Sequence, residues 1–238
     1  MPDPLVLPRL PRIRGATPRG TWWGRAWLRS CEEAAVDPGD LRGGRALARS
    51  GRFGAVMAIA GMASAVLDPR SEHPMLVQVK VAPLGAEAWT TFVRELSRRS
   101  GHLAALESGD LADDLVTGAD ELGVELLPGP ADVEAACECD AWAQPCVHAL
   151  GLATLLAWAM DADPYVLLLL RGRTREWLLD EGARELDGAG PAAAVDEAAG
   201  RASRILRLAD EAPAGHGLAD TAVAAYDEEV ARLLDPDA

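Results

Sequence analysis

The sequence is poor in lysine and in long apolar runs. Lys80 is the only lysine among 238 residues, so arginine carries nearly all of the positive charge. This preference, together with abundant alanine and glycine, indicates a G+C-rich coding sequence and is not by itself a sign of phosphate recognition. Acidic residues give the chain a formal net charge of −14, which is unusual for an autonomous nucleic-acid binder.

Several function classes lack their usual sequence signals. The longest apolar stretch, residues 149–170, is interrupted by Asp161, Asp163 and Pro164, so we expect no membrane span. The first twenty residues have no apolar core of a signal peptide, and three of the four cysteines fall in a metal pattern, so we expect a reducing, cytoplasmic setting. Neither a phosphate-binding glycine loop nor a nucleophile beside a histidine is evident. We therefore predict a protein that is not an enzyme and takes no small-molecule substrate.

One short segment concentrates the metal-binding side chains. Cys137, Cys139, Cys146 and His148 lie within twelve residues. On an extended backbone, residues two apart point the same way, so Cys137 and Cys139 can reach one ion. Cys146 and His148 can share it only where regular helix has not yet begun, and Pro145 suits such a place. The spacing predicts one structural Zn²⁺ held by three Cys and one His, with no position left for water. A buried cysteine cluster or a disulfide are the alternatives.

This spacing resembles the SWIM zinc finger, which has the form CxCx(n)CxH. The segment 163–173 after it, and the segments 21–27 and 41–51 before it, are similar to the flanks of bacterial SWIM proteins. The resemblance implies a DNA-binding or protein-interaction module that is associated with Swi/Snf-type helicases. The predicted partners are DNA, such a helicase or another protein, and no membrane.

Basic residues cluster in the first third of the chain. Residues 1–70 carry eleven arginines against six acids, and the remainder carries twelve basic residues against thirty-one acids. Thr21 predicts the N-cap of a helix whose Trp23 and Trp27 either pack inward or stack on bases. After this helix, arginines that recur every three or four residues predict a second helix with one basic face. The candidate nucleic-acid-binding residues are Arg25, Arg29, Arg42, Arg45, Arg49 and Arg52, although a solvated charged face would show the same pattern.

The changes of periodicity predict an α+β fold. A small antiparallel sheet with helices is expected first, then a strand–knuckle–helix zinc finger, then a mostly helical C-terminal region. The expected organisation is a flexible Pro/Arg-rich arm (1–20), an N-terminal α+β region (21–125), the zinc finger with its following helices (126–185), and an acidic tail, partly helical or disordered (186–238). Val124–Leu127 and Val133–Cys137 are expected to pair as a hairpin.

Two hypotheses about function follow. The first is a non-enzymatic, SWIM-type zinc protein that engages DNA, a DNA-remodelling ATPase, or both. The second is an acidic protein-interaction adaptor whose zinc is purely structural and which never touches nucleic acid. An enzyme with an unrecognised pocket is a third possibility, which a closed metal site does not favour.

Overall fold

The structure is a computed structural model that describes residues 4–14 and 20–185, apart from the side chain of Ser100. The predicted acidic tail, residues 186–238, lies outside the described residues. The strands are β1 (Leu5–Leu7), β2 (Phe53–Ile59), β3 (Met62–Leu67), β4 (Met75–Val81) and β5 (Val133–Cys137). The helices are α1 (Trp22–Glu33), α2 (Pro38–Arg49), α3 (Ala86–Ser97), α4 (Ser100–Glu107), α5 (Asp113–Glu121), α6 (Val147–Ala162), α7 (Tyr165–Leu170) and α8 (175–185).

The strands form one antiparallel sheet in the order β1-β2-β3-β4-β5. Gly61 makes the turn between β2 and β3 with a φ of +80°, a conformation that glycine adopts without a steric penalty. Side chains alternate along β3 and β4, so that Ala63, Ala65, Val77 and Val79 are buried while their neighbours are more exposed. The predicted α+β class and the predicted small antiparallel sheet are confirmed.

Helix α6 is the centre of the core. It contacts β3, β4 and β5 on the sheet side, and it contacts α1, α2 and α7 as well. Every residue from Ala149 to Ala157 is buried, as expected for a helix that is apolar on all sides. The first turn of this helix carries His148, so the packing of α6 also fixes the position of the metal-binding residues.

A close approach between α2 and α6 depends on glycine. A Cβ added to Gly44 would lie 2.7 Å from the Leu150 Cβ and 3.0 Å from the Gly151 nitrogen. These atoms belong to or adjoin the α6 backbone, so they cannot move aside as the end of a flexible side chain could. The two helices therefore pack at a distance that any larger residue at position 44 would increase.

We expect Gly44→Ala to destabilise the protein by about 1–3 kcal/mol, because overpacking forces the two helices apart. Thermal unfolding followed by circular dichroism measures the loss. Gly101→Ala is the matched control, since Gly101 lies in α4 and nothing is within 4 Å of its added Cβ. The control should unfold at the same temperature or slightly higher, because alanine favours helix. Equal melting temperatures for the two variants would contradict this account of the α2–α6 contact.

Two expectations about local structure are wrong. Residues Leu5–Leu7 are not part of a free arm, because they pair antiparallel with β2 as an edge strand. Val124–Leu127 is not a strand, and β5 pairs with β4 instead, with Val133 opposite Val81. Val124 and Leu126 are both buried, so their alternation reports contact with the core and not strand pairing. Residues 1–3 and 15–19 of the predicted arm lie outside the described part of the chain.

Candidate metal centre

Strand β5 positions the first two metal-binding residues. Cys137 is its last residue and lies opposite Val77 of β4, and the pairing continues as the Glu138 amide donates to the Leu76 carbonyl. The chain is therefore extended through Cys137 and Glu138. Cys139 lies two residues after Cys137, so the two thiols point to the same side of the chain, as the sequence spacing predicted.

The beginning of α6 positions the other two. Cys146 is the N-cap, with φ −80° and ψ 175°, and Val147 is the first helical residue. Cys146 therefore has extended backbone geometry, and His148 lies in the first turn. This is the arrangement that the two-residue spacing required, because in a regular helix the two side chains would point apart. Gln144 supports the turn, since its side-chain oxygen accepts a hydrogen bond of 3.1 Å from the Cys146 amide.

The four side chains converge on one point. The Cys139 and Cys146 Sγ atoms are 3.5 Å apart, and the His148 Nδ1 lies 3.7 Å from the Cys137 Sγ and 3.9 Å from the Cys146 Sγ. All four ligand atoms lie within 4.8 Å of one another. A tetrahedral site with metal–sulfur bonds of about 2.3 Å has edges of roughly 3.8 Å between sulfurs. The group can thus hold a metal ion with little adjustment, and it fits a zinc finger.

The pKa values of the three thiols are shifted in different directions by their surroundings. Burial raises the pKa of Cys137 to about 12, and burial also raises the pKa of Cys146 even though the amides of Ala149 and His148 donate to its sulfur. Burial opposes ionisation of Cys139 too, but the Ala141 amide and the neighbouring thiols donate to its sulfur and hold its pKa below the usual value. Buried thiols of this kind become thiolates when a cation neutralises them.

The histidine is held in the form that binds metals. Burial lowers the pKa of His148, and the charge of Arg52 lowers it further. The neutral imidazole that results is the ligand form. Helix α2 packs beside the candidate metal centre, since a Cβ added to Gly43 would lie 2.7 Å from the Val147 Cγ2.

The arginines predicted to contact nucleic acid are brought together in part. Arg42, Arg45, Arg49 and Arg52 line one depression, as their spacing predicted. Two of them form exposed ion pairs, Arg45 with Glu32 and Arg52 with Asp68. On α1, the Arg25 guanidinium donates to the Gly20 carbonyl, and Arg29 is exposed outside that depression. Whether any of them binds nucleic acid stays a prediction.

The tryptophans of α1 are structural. Trp23 and Trp27 are buried, and their indole N–H groups donate to the carbonyls of Met160 and Ala153 on α6. Trp22 is half-buried and donates to the Leu111 carbonyl. The alternative that Trp23 or Trp27 stacks on bases is therefore wrong, because both rings are packed against α6.

Sequence reasoning overlooked an exposed aromatic residue beside the candidate metal centre. Trp142 lies between Cys139 and Cys146, and 83% of its surface is exposed. A tryptophan normally buries most of its surface, so such exposure is typical of an interaction residue. Its place between two metal-binding residues was visible in the sequence, but its exposure was not, since the neighbouring alanines indicate neither burial nor solvent.

None of the helices in the described residues combines the length and apolar character that crossing a bilayer requires.

Comparisons with known proteins assign no activity to this chain. No protein-family model matches it, and no solved structure matches it. It is 32% identical over 182 residues to the uncharacterized protein Rv2102 of Mycobacterium tuberculosis, an alignment that spans 76% of this chain. The same alignment spans 65% of the mycobacterial protein, so about a third of that relative has no counterpart in the match.

Proposed function

We propose that this chain is a non-enzymatic zinc protein of the SWIM type that binds DNA through its arginine-rich surface, beside a Swi/Snf-type helicase. The observation that carries the proposal is the convergence of three thiols and one imidazole within 4.8 Å, with the arginines of α2 next to it. The CxC and CxH spacing supports the SWIM assignment, and the helicase comes from that resemblance. Four cysteines that form no disulfide fit a reducing compartment such as the cytoplasm.

The donor set favours zinc in a structural role. Three sulfurs and one nitrogen are the ligands of many structural zinc sites, and they fill all four tetrahedral positions. A metal in such a site has no open position where water or a substrate could be activated. Its task is to join β5 to the start of α6, which stabilises the fold directly.

The test of DNA binding is fluorescence anisotropy of the zinc-loaded chain with labelled single-stranded and double-stranded DNA across a salt series. We expect binding that weakens steeply as salt rises, because arginines that contact phosphates release counterions. The double variant Arg42→Glu and Arg45→Glu should lose this binding while keeping its zinc and its melting temperature. Absence of binding to either DNA at low salt would contradict the DNA proposal.

The second candidate function is the protein-interaction adaptor. The exposure of Trp142 favours it. Metal-binding residues fix the chain on both sides of Trp142, and a rigidly held tryptophan can fill a pocket on a partner protein. The acids beside it, Glu138 and Asp140, are exposed and would repel phosphates. A protein partner that is retained after nuclease treatment and lost with Trp142→Ala would support the adaptor over the DNA-binding protein.

A further inference from the structure

The arginine-rich surface consists of two adjacent depressions and not only one face of a helix. A depression of about 800 Å³ lies along α2, and a second of about 270 Å³ lies between α1 and α6. Arg45 and Arg49 line both depressions, so the two adjoin at these residues. We call the combined feature the arginine groove. Its arginines are Arg12, Arg25, Arg42, Arg45, Arg49 and Arg52.

The N-terminal segment makes the groove concave. The Ile13 amide donates to the Arg49 carbonyl at 2.9 Å, and the Arg9 guanidinium donates twice to the Gly51 carbonyl. These bonds hold residues 9–13 against the end of α2, so that Arg12 lines the same depression as Arg42. Gly51 permits the contact, because its φ is +72° and an added Cβ would lie 2.8 Å from the Arg12 nitrogen.

The groove retains positive charge despite its ion pairs. Glu32 and Asp68 each pair with one arginine, and Asp161 lines the smaller depression. The side chains of Arg45 and Arg52 are nevertheless 56% and 52% exposed in their pairs. Exposed pairs of this kind are weak, so a phosphate can replace the carboxylate as the partner of the guanidinium. Among the described residues, the groove therefore carries more arginines than acids.

An aromatic side chain also lines the arginine groove. Trp158 is half-buried and lines the smaller depression with Leu28 and Thr154. A row of arginines that leads to an aromatic surface is the combination that binds a backbone and one of its unpaired bases. Bases inside a duplex are already stacked on one another and cannot reach such a ring.

We propose that the arginine groove binds single-stranded nucleic acid, with Arg12 and Arg42 contacting phosphates and Trp158 stacking on a base. This inference rests on the proposed function and deepens it, since it commits to a single strand and adds two residues, Arg12 and Trp158. Acidic peptides share the negative charge but not the flat bases, so Trp158 separates the two classes of ligand.

The experiment measures binding of the zinc-loaded full chain to a labelled twelve-nucleotide oligo-dT, to a twelve-base-pair duplex and to a polyglutamate peptide. We expect the oligo-dT to bind at least tenfold more tightly than either of the others. The double variant Arg12→Gln and Arg42→Gln should bind about tenfold more weakly and lower the salt slope by about 1.4, from two lost single-strand phosphate contacts. The control pair Arg94→Gln and Arg184→Gln, both exposed and outside the groove, should stay within twofold of the parent.

Trp158→Leu separates stacking from charge. It should weaken oligo-dT binding about fivefold or more without changing the salt slope, and Trp158→Phe should restore most of the affinity. If Trp158→Leu does not fold, the arginine pairs decide alone. Duplex or polyglutamate bound as tightly as oligo-dT, or an equal loss in the control pair, would overturn the groove. Duplex binding that depends on Arg42 and Arg45 but not on Arg12 or Trp158 would overturn the groove and leave the proposed function standing.

Discussion

Cys146→Ser is expected to lose the bound metal and to melt about 8–16 °C lower than the parent. A ligand present at a thousand times its dissociation constant stabilises a protein by about 4 kcal/mol. Each kcal/mol corresponds to roughly 2–4 °C for a protein of this size. Cys146 is almost fully buried at the N-cap of α6, so loss of its thiolate separates β5 from the helix at the centre of the core. Thermal unfolding with parallel metal analysis measures both effects.

Cys31→Ala is the matched control for this prediction. Cys31 is a buried cysteine of α1, and burial keeps its thiol protonated by raising the pKa far above the usual value. It lies outside the cluster of four metal-binding residues, so its replacement should leave the metal content at one ion per chain. A chelator should lower the melting temperature of Cys31→Ala and leave that of Cys146→Ser unchanged. Equal melting temperatures for the parent and Cys146→Ser would contradict a stabilising metal.

Arg171→Met is expected to destabilise the protein by about 2–6 kcal/mol. Arg171 is only 4% exposed, and its guanidinium donates to the carbonyls of Ala82 and Glu125. Methionine of similar length would fill the space but leave both carbonyls without a donor, at a cost of roughly 1–3 kcal/mol each. Burial lowers the pKa of Arg171, but arginine stays charged at any working pH. Urea unfolding measures the loss.

Arg175→Met is the matched control for Arg171. The Arg175 guanidinium lies 4.6 Å from the centre of the Tyr165 ring and the residue is exposed. Loss of an exposed cation–π contact costs about 0.5–1 kcal/mol. Arg171→Met lowering the free energy of unfolding no more than Arg175→Met does would contradict this account. That result would show that the two carbonyls find other donors and that the buried guanidinium has no structural role.

Local signals predicted a large part of this structure. The Thr21 side chain accepts a hydrogen bond from the Gly24 amide at the N-terminus of α1, as expected of an N-cap, and the antiparallel sheet follows the alternation of its strands. Each of these features depends on residues that are adjacent in sequence, so the sequence alone is enough to predict it. The metal-binding cluster belongs to the same class, because all four of its members lie within twelve residues.

Features that depend on distant partners were not predictable. The Asp161 carboxylate accepts the Thr21 amide at 2.8 Å across 140 residues, which joins the N-terminus of α1 to the end of α6. The strand at Leu5–Leu7 exists because β2 offers a free edge, and nothing in its own three residues required that pairing. The role of Arg171 likewise depends on carbonyls of two remote loops. Sequence periodicity reports burial, but it does not identify the partner that covers a residue.

X-ray absorption at the zinc edge tests most directly whether the chain holds one closed metal site with three sulfurs and one nitrogen. The measurement uses protein purified without added metal and includes a determination of zinc per chain. The account predicts one zinc per chain with three sulfurs at about 2.3 Å and one nitrogen at about 2.0 Å. A chain without stoichiometric metal, or a metal with oxygen in its coordination shell, would contradict a closed structural site.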